Sequence, residues 1–316
     1  MPIIEYHHPT TADLEKITDV LNRSRRELPL YTDQTAEKVS AQTFEDADYD
    51  PQGYWLAIEN GQPIGYGGAI VRRSRIEAGM DDGWIDTDVV PEHRGKGIGQ
   101  ELMRLSLEYL KFNNIGKAQR WCIGTKGWRH DLVLQFGFKA SHHEYFMVWE
   151  GENPERYPPP EGIHFEYSLF REAPDEEIAH FAQMFNETLS EHYNFAPQPV
   201  ERFIRFRDTN KDVWRITFAK DGQTTVGICS YGEFTQYNKE NNTRIGTAGV
   251  LGVVKTYRRR GIGRALLSDC MIWLCGRGMD TIYLEVDAEN PEALPLYTFL
   301  GFKVWKENTI YQLELK

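Results

Sequence analysis

Two blocks rich in glycine and basic residues hold the side chains and backbone in this chain best suited to gripping a phosphate. The first reads Val89-Val90-Pro91-Glu92-His93-Arg94-Gly95-Lys96-Gly97-Ile98-Gly99, and the second Val253-Val254-Lys255-Thr256-Tyr257-Arg258-Arg259-Arg260-Gly261-Ile262-Gly263-Arg264. Glycines at this spacing let successive backbone N–H groups converge, and a helix that starts there adds the positive end of its dipole. Such a turn suits a pyrophosphate. Gly97 and Gly261 stand 164 positions apart in a chain of 316 residues, so the repeat marks duplicated domains rather than a solenoid of short units.

Each block needs a strand before it and an amphipathic helix after it. Ile98, Leu102, Leu105 and Tyr109 form one apolar stripe at helical spacing, and Ile262, Leu266, Cys270 and Trp273 repeat it. Both halves open with a short apolar strand (residues 3–6 and 163–167) and then a helix (residues 11–22, capped by Thr10, and 175–188). Strands at residues 54–58 and 213–219 end in the hairpin turns Asn60-Gly61 and Asp221-Gly222. Next strands begin at Pro63 and Thr225. Strands then alternate with helices, which predicts an α/β (α+β mixed sheet) class: two tandem domains, each a central mixed sheet flanked by helices. The proline-rich stretch from Asn153 to Pro160 predicts a stiff linker over residues 150–162, between domains at 1–149 and 163–316.

Composition limits the partners. A formal charge of −11 and a pI of about 5.4 disfavour nucleic acid and favour a cationic or neutral small acceptor. The acidic run Phe44-Glu45-Asp46-Ala47-Asp48-Tyr49-Asp50 could draw an amine or be a solvated loop. No apolar run reaches the length of a membrane span and the N-terminus has no leader pattern, so no membrane partner and a cytoplasmic location are expected. Cys122, Cys229, Cys270 and Cys275 lack the spacing of a zinc site, so no metal is expected. The pairs His7-His8 and His142-His143 read as surface residues. Two domains in one chain can replace the dimer of a single-domain relative, which favours a monomer.

A Walker loop would need Lys-Ser or Lys-Thr after its last glycine, and a Rossmann turn would fall early in each half; neither fits. Arg94-Gly95-Lys96-Gly97-Ile98-Gly99 and Arg258-Arg259-Arg260-Gly261-Ile262-Gly263 instead resemble the coenzyme A signature of the GNAT superfamily of N-acetyltransferases, with the Val-Val strand before each. The resemblance implies that Val89 and Arg94 to Gly99, and Val253 and Arg258 to Arg264, line two coenzyme A turns. It also implies that the strand at Leu251, Gly252 and Val253 runs beside the pantetheine arm, with a backbone N–H able to polarise the thioester.

The second half also resembles the family in its N-x-x-A…Y…GF block, Asn290 to Phe302. By that resemblance Asn290 contacts the pantetheine arm and Tyr297 is the general acid for the leaving thiolate. The first half has Val133 at the tyrosine position and no N-x-x-A, with His130 and Tyr145 as substitute acids to consider. The base is open among Glu285, Glu233 and a water held at Thr247. The loop from Glu191 to Pro197, with His192, is a candidate acceptor wall.

Among tandem members the second half is similar to the mycothiol synthase family, in its linker, its Tyr-Leu-Glu-Val-Asp-Ala-Glu-Asn run and its Leu-Gly-Phe ending. It departs from that family in having no acid on the strand before Leu251 and in Lys255, where a proline is usual. The expected function is acetyl-CoA-dependent N-acetylation of a small primary amine. A non-catalytic acetyl-CoA-binding regulator or scaffold is the alternative.

Overall fold

In a computed structural model, which describes residues 3–210 and 212–316, the two copies follow one element order. The first runs β1 (Ile4–His7), α1 (Leu14–Arg25), α2 (Ala36–Gln42), β2 (Tyr54–Glu59), β3 (Gln62–Ile70), α3 (Arg73–Glu77), β4 (Asp82–Val89), α4 (Ile98–Phe112), β5 (Lys117–Ile123), α5 (Trp128–Gln135) and β6 (Lys139–Glu150). The second runs β7 (Ile163–Leu169), α6 (Asp175–Leu189), α7 (Val200–Thr209), β8 (Trp214–Asp221), β9 (Thr224–Glu233), α8 (Thr235–Asn241), β10 (Ile245–Val253), α9 (Ile262–Gly276), β11 (Thr281–Asp287), α10 (Ala293–Phe299) and β12 (Lys303–Glu314). Thr10 and Asp13 cap the start of the first helical region reciprocally. Asn60 and Gly61 both take positive φ, which joins β2 to β3 by a tight hairpin.

Two compact units result, and their limits differ from the halves of the sequence. One holds the described residues through His142 together with Asn308–Lys316; the other is His143–Glu307. In the first unit the strand order is β1-β2-β3-β4-β5-β12, because Asn308 to Glu314 pair antiparallel with Ile123 to Lys117. In the second it is β6-β11-β10-β9-β8-β7, because Glu144 to Glu150 pair antiparallel with Asp287 to Thr281. Each copy therefore lends its last strand to the other copy's unit. The parallel pairs are β4 with β5 and β10 with β11, so both sheets are mixed.

Cores form where the stripes predict and extend beyond them. In the first unit Ile98 and Leu102 pack with Ile64, Tyr66 and Val89, while Met103, Leu107 and Leu110 join a second cluster with Ile85, Ala118 and Cys122. In the second, Ile262, Leu266, Leu267, Cys270, Met271 and Leu274 are buried together. Each fully buried leucine contributes about 1.5–3 kcal/mol.

Several local expectations change. The proline-rich segment after β6 is anchored to α9: the Ser268 hydroxyl accepts from Tyr157 N–H at 2.9 Å and donates to Glu155 O at 2.8 Å. His142, in β6, is buried at 4 % exposure and not on the surface. Asp46 and Asp48 pair with Arg72 and Arg73, and Asp50 accepts from Tyr109, so the acidic run is tied into its own surroundings. Three cysteines are buried and free, no cluster with metal-ligand character occurs among the described residues, and no helix of those residues is long and apolar enough to cross a membrane.

Candidate active site

Both turns are built alike. Gly261 (φ 87°) precedes α9 and Arg259 (φ 63°) also lies in the left-handed region; Gly97 (φ 88°) and Gly95 (φ 75°) repeat this before α4. Neither helix has a side-chain cap. Their first-turn N–H groups are left for an anion.

The turn's basic residues divide by what they touch. Arg258 donates from Nε to Val253 O (3.1 Å), from Nη2 to Thr188 O (3.3 Å) and from Nη1 to Glu191 (2.7 Å). Arg94 repeats each bond, to Val89 O (3.1 Å), Ser24 O (3.1 Å) and Glu27 (2.8 Å). These two guanidinium groups tie the strand end to the preceding helix and hold the turn's shape rather than point out of it. Arg260 donates to Thr256 O and lies over the Tyr257 ring, and Arg264 lies over Tyr157. Arg259 and Lys96 stand exposed at the turn.

Beside the turn the parallel strands part. The pairing of β10 with β11 ends at Ala248 and Leu284, and a bulge at Gly249 interrupts β10 against β9. Backbone groups of Val250 to Val253 that would face β11 thus lie along an opening. A Cβ on Gly252 would stand 2.0 Å from Thr188 Oγ1, so α6 seats directly on the strand at that point and only glycine fits.

Of the predicted residues, Glu285 is on β11 next to this point, Asn290 lies in the turn after β11 and Tyr297 in α10. Asn290 accepts at Oδ1 from the N–H groups of Glu292 (3.0 Å) and Ala293 (2.9 Å), which fixes the start of α10. Tyr297 is 8 % exposed among Ile262, Leu266, Cys229 and Cys270, and burial, then the neighbouring thiols, push its pKa well above the ordinary phenol value. Glu285 follows the last residue of β11 that pairs with β10. Its side chain is exposed, yet the protein crowding it, and next the charge of Glu144, push its carboxyl up to about 7. Glu233 lies at the opposite end, beside Gly246, where Arg277 pairs with it. Burial lowers the pKa of His192, with Asp287 among the charges near it.

In the first unit the same place is filled. The pairing of β4 with β5 ends at Trp84 and Gln119, and Arg120, 1 % exposed, crosses the gap to donate to Thr87 O at 3.0 Å. Asp88 stands where the second copy has Gly252. It accepts from Ser24 (2.9 Å), Arg129 (2.9 Å) and Arg25 Nε (2.9 Å). His130 is held between Tyr311 and Ile123 O, and Tyr145 pairs with Val286 in the other unit, so neither substitute acid reaches this cleft. Sequence reading missed this network, although the charges stand out once the copies are aligned: Asp88, Arg25 and Arg129 match Gly252, Leu189 and Ala293.

A family model described as the acetyltransferase (GNAT) family matches residues 15–138 and again 178–302. The chain belongs to the GNAT acetyltransferase family. Each GNAT match contains one glycine turn, and the chain is a tandem N-acetyltransferase. It is 24% identical over 234 residues to the mycothiol acetyltransferase of Renibacterium salmoninarum, covering 72% of this chain and 67% of that one. It is 28% identical over 235 residues to the mycothiol acetyltransferase of Thermobispora bispora, covering 71% and 74%. Among solved structures, a tandem GNAT protein from the clavulanic acid biosynthesis pathway superposes with a TM-score of 0.75 at 13% identity, over 99% of each chain. A GCN5-related N-acetyltransferase from Sphaerobacter thermophilus gives 0.68 at 21%, over 99% and 96%. At such identities these structures speak for the GNAT fold.

Proposed function

We propose that this GNAT chain moves an acetyl group from acetyl-CoA to a primary amine of a small molecule, and that the second unit does so. The reading is supported by the uncapped turn at Gly261 and by the parting of β10 from β11 after Ala248 and Leu284, with Glu285 next along β11; Asn290 and Tyr297 are assigned to the same site by their family motif. Acetyl-CoA supplies the activated acyl group. The N–H groups of the turn, with Arg259, hold its pyrophosphate, and Asn290 Nδ2 and the edge of Leu251 to Val253 that β11 leaves unpaired hold its arm.

Glu285 takes the amine's proton. Transfer from an alkylammonium to a carboxyl near 7 is uphill by about 4–5 kcal/mol, and desolvation of the ammonium in the cleft lowers that gap. An ordinary carboxyl, being a weaker base, would make the step harder still. Tyr297 stays protonated and gives a hydrogen bond or proton to the thiolate, an undemanding task for a thiol whose own pKa is about 8.5.

Three results are expected. Glu285→Gln lowers kcat/KM about 100-fold at pH 7 and removes the rise of rate through about pH 7, as read in a pH profile of CoA release. Gly261→Ala raises KM for acetyl-CoA about tenfold, since a side chain at this positive φ costs about 1–2 kcal/mol. The first unit keeps the backbone cradle of Gly95, Gly97 and Gly99, but Arg120 spans its slot and Val133 replaces the tyrosine. Calorimetric titration should therefore find one acetyl-CoA per chain; two would overturn the assignment to the second unit alone.

A further inference from the structure

We propose that the groove between the start of β2 and the end of α4, in the first unit, is a binding site for a small organic cation of the guanidinium class. The site is separate from acetyl transfer and does not depend on it. The groove has a volume of about 330 Å³, and His8, Asp50, Trp55, Glu108, Tyr109 and Phe112 are among the residues that line it. Phe112 is 85 % exposed, so the apolar stripe of α4 ends here in a ring that the protein leaves uncovered. The His8 ring lies 5.2 Å from that of Trp55, and its Nδ1 donates to Tyr54 O at 2.9 Å, which leaves Nε2 of the neutral ring as an acceptor. Asp50 accepts from Tyr109 Oη and from Gln52 N–H, each at 2.9 Å. Both donors are neutral, and among the described residues no cation pairs with this carboxylate. Glu108 pairs with Arg104 on its own helix.

The second copy shows what such a place accommodates, because there the chain fills it. Ala57 and Ala219 match, each standing just before a bulge, and four residues earlier come Gly53 and Arg215. Tyr6 and Phe165 pair with those alanines, so His8 matches Tyr167 two residues on. Tyr109 matches Trp273, each twelve residues after its turn glycine. In the second copy the Arg215 guanidinium lies 3.7 Å from the centre of the Tyr167 ring and 5.7 Å from that of Trp273. Ring faces attract such a cation. In the first copy the ring positions persist as His8 and Tyr109, but the arginine is gone. A Cβ on Gly53 would stand 2.6 Å from Ala69 O and 3.1 Å from the Tyr109 ring, so no side chain fits at that position. The groove therefore keeps aromatic walls, adds the charge of Asp50 and lacks the cation that its counterpart carries. A flat guanidinium can lie on a ring face and donate to a carboxylate at the same time.

The test titrates the full chain by isothermal calorimetry, at constant ionic strength, with n-butylguanidinium chloride and with n-butylurea, which has nearly the same shape and no charge. The guanidinium probe carries no primary alkylamine, so it is no acceptor for the second unit. It should bind with a Kd of about 1 mM or tighter, and butylurea about tenfold or more weakly. Asp50→Asn keeps an oxygen for Tyr109 and Gln52 but removes the charge, and should weaken the guanidinium probe about tenfold. Phe112→Ala replaces a ring already in water, so it leaves the fold alone and should weaken the probe about threefold. Butylurea binding as tightly as butylguanidinium would overturn the inference. So would an Asp50→Asn Kd equal to that of wild type, or no binding of either probe. None of these results bears on acetyl transfer, and a chain without transferase activity would still show this binding. The comparison of probes needs no variant, so it stands even where a substitution harms folding.

Discussion

Replacing Tyr297 by phenylalanine will lower kcat about 1,000-fold and leave KM for acetyl-CoA nearly unchanged. The ring stays in its cluster with Ile262, Leu266, Cys229 and Cys270, so the substitution removes one hydroxyl and little packing. Burial keeps that hydroxyl protonated over the whole working range of pH. It can therefore act in every turnover, and only as a donor to charge that develops on sulfur. Steady-state release of CoA thiol measures the effect, and an unchanged near-ultraviolet circular dichroism spectrum shows the core intact. A Tyr297→Phe enzyme within about threefold of wild type would remove Tyr297 from the mechanism. Stoichiometric acetyl-CoA binding without turnover by wild type would favour the regulatory alternative instead.

What the sequence shows well is what is encoded locally. The glycine turns, the stripes of α4 and α9 and the hairpin at Asn60-Gly61 each depend on residues a few positions apart, and all were readable. The exchange of β6 and β12 was not. Both strands follow a Gly-Phe pair at the end of a helix, Gly137-Phe138 and Gly301-Phe302, and nothing local says which neighbour each will choose. The choice is made by pairs such as Asn308 with Ile123 and Phe146 with Glu285, far apart in the chain. The candidate site divides in the same way. Asn290 and Tyr297 sit in a short recognisable block, whereas Glu285 separates from Glu233 only when β10 and β11 part beside one and Arg277 claims the other. Arg94 and Arg258 were legible as members of a turn, but their bonds to Ser24 O and Thr188 O required the helix of the same unit to be in place.

The filled cleft of the first unit leads to the largest expected effect on stability. Asp88 is 1 % exposed and links Ser24, Arg25 and Arg129. Burial alone would raise its pKa, but the two guanidinium groups and their hydrogen bonds outweigh burial and hold it well below the usual carboxylate range. Asp88→Ala leaves two arginines facing each other without the anion between them, and breaking a buried pair in this way costs about 3–5 kcal/mol. A fall in Tm of about 10 °C or more is expected by scanning calorimetry. The sign with pH follows from the lowered folded pKa: the contribution is complete above the unfolded value of about 4 and is lost as pH falls through it toward the folded value. Wild type should thus lose stability below about pH 5 more steeply than Asp88→Ala, and their Tm curves should converge in acid. The second copy provides the control. Its residues at the three matching positions are Gly252, Leu189 and Ala293, so Asp88→Gly combined with Arg25→Leu and Arg129→Ala removes both signs of charge at once. Replacing a buried ion network by uncharged residues is often close to neutral, and Asp86 and Glu27, which lose Arg25 and Arg129 as partners, are exposed to water, so this triple variant should recover much of what Asp88→Ala loses. Equal Tm for wild type and Asp88→Ala at pH 7 would show that the charges there do not hold the cleft. Recovery in the triple variant would show that the first copy's charges act as one unit, closing a slot that the second copy leaves open.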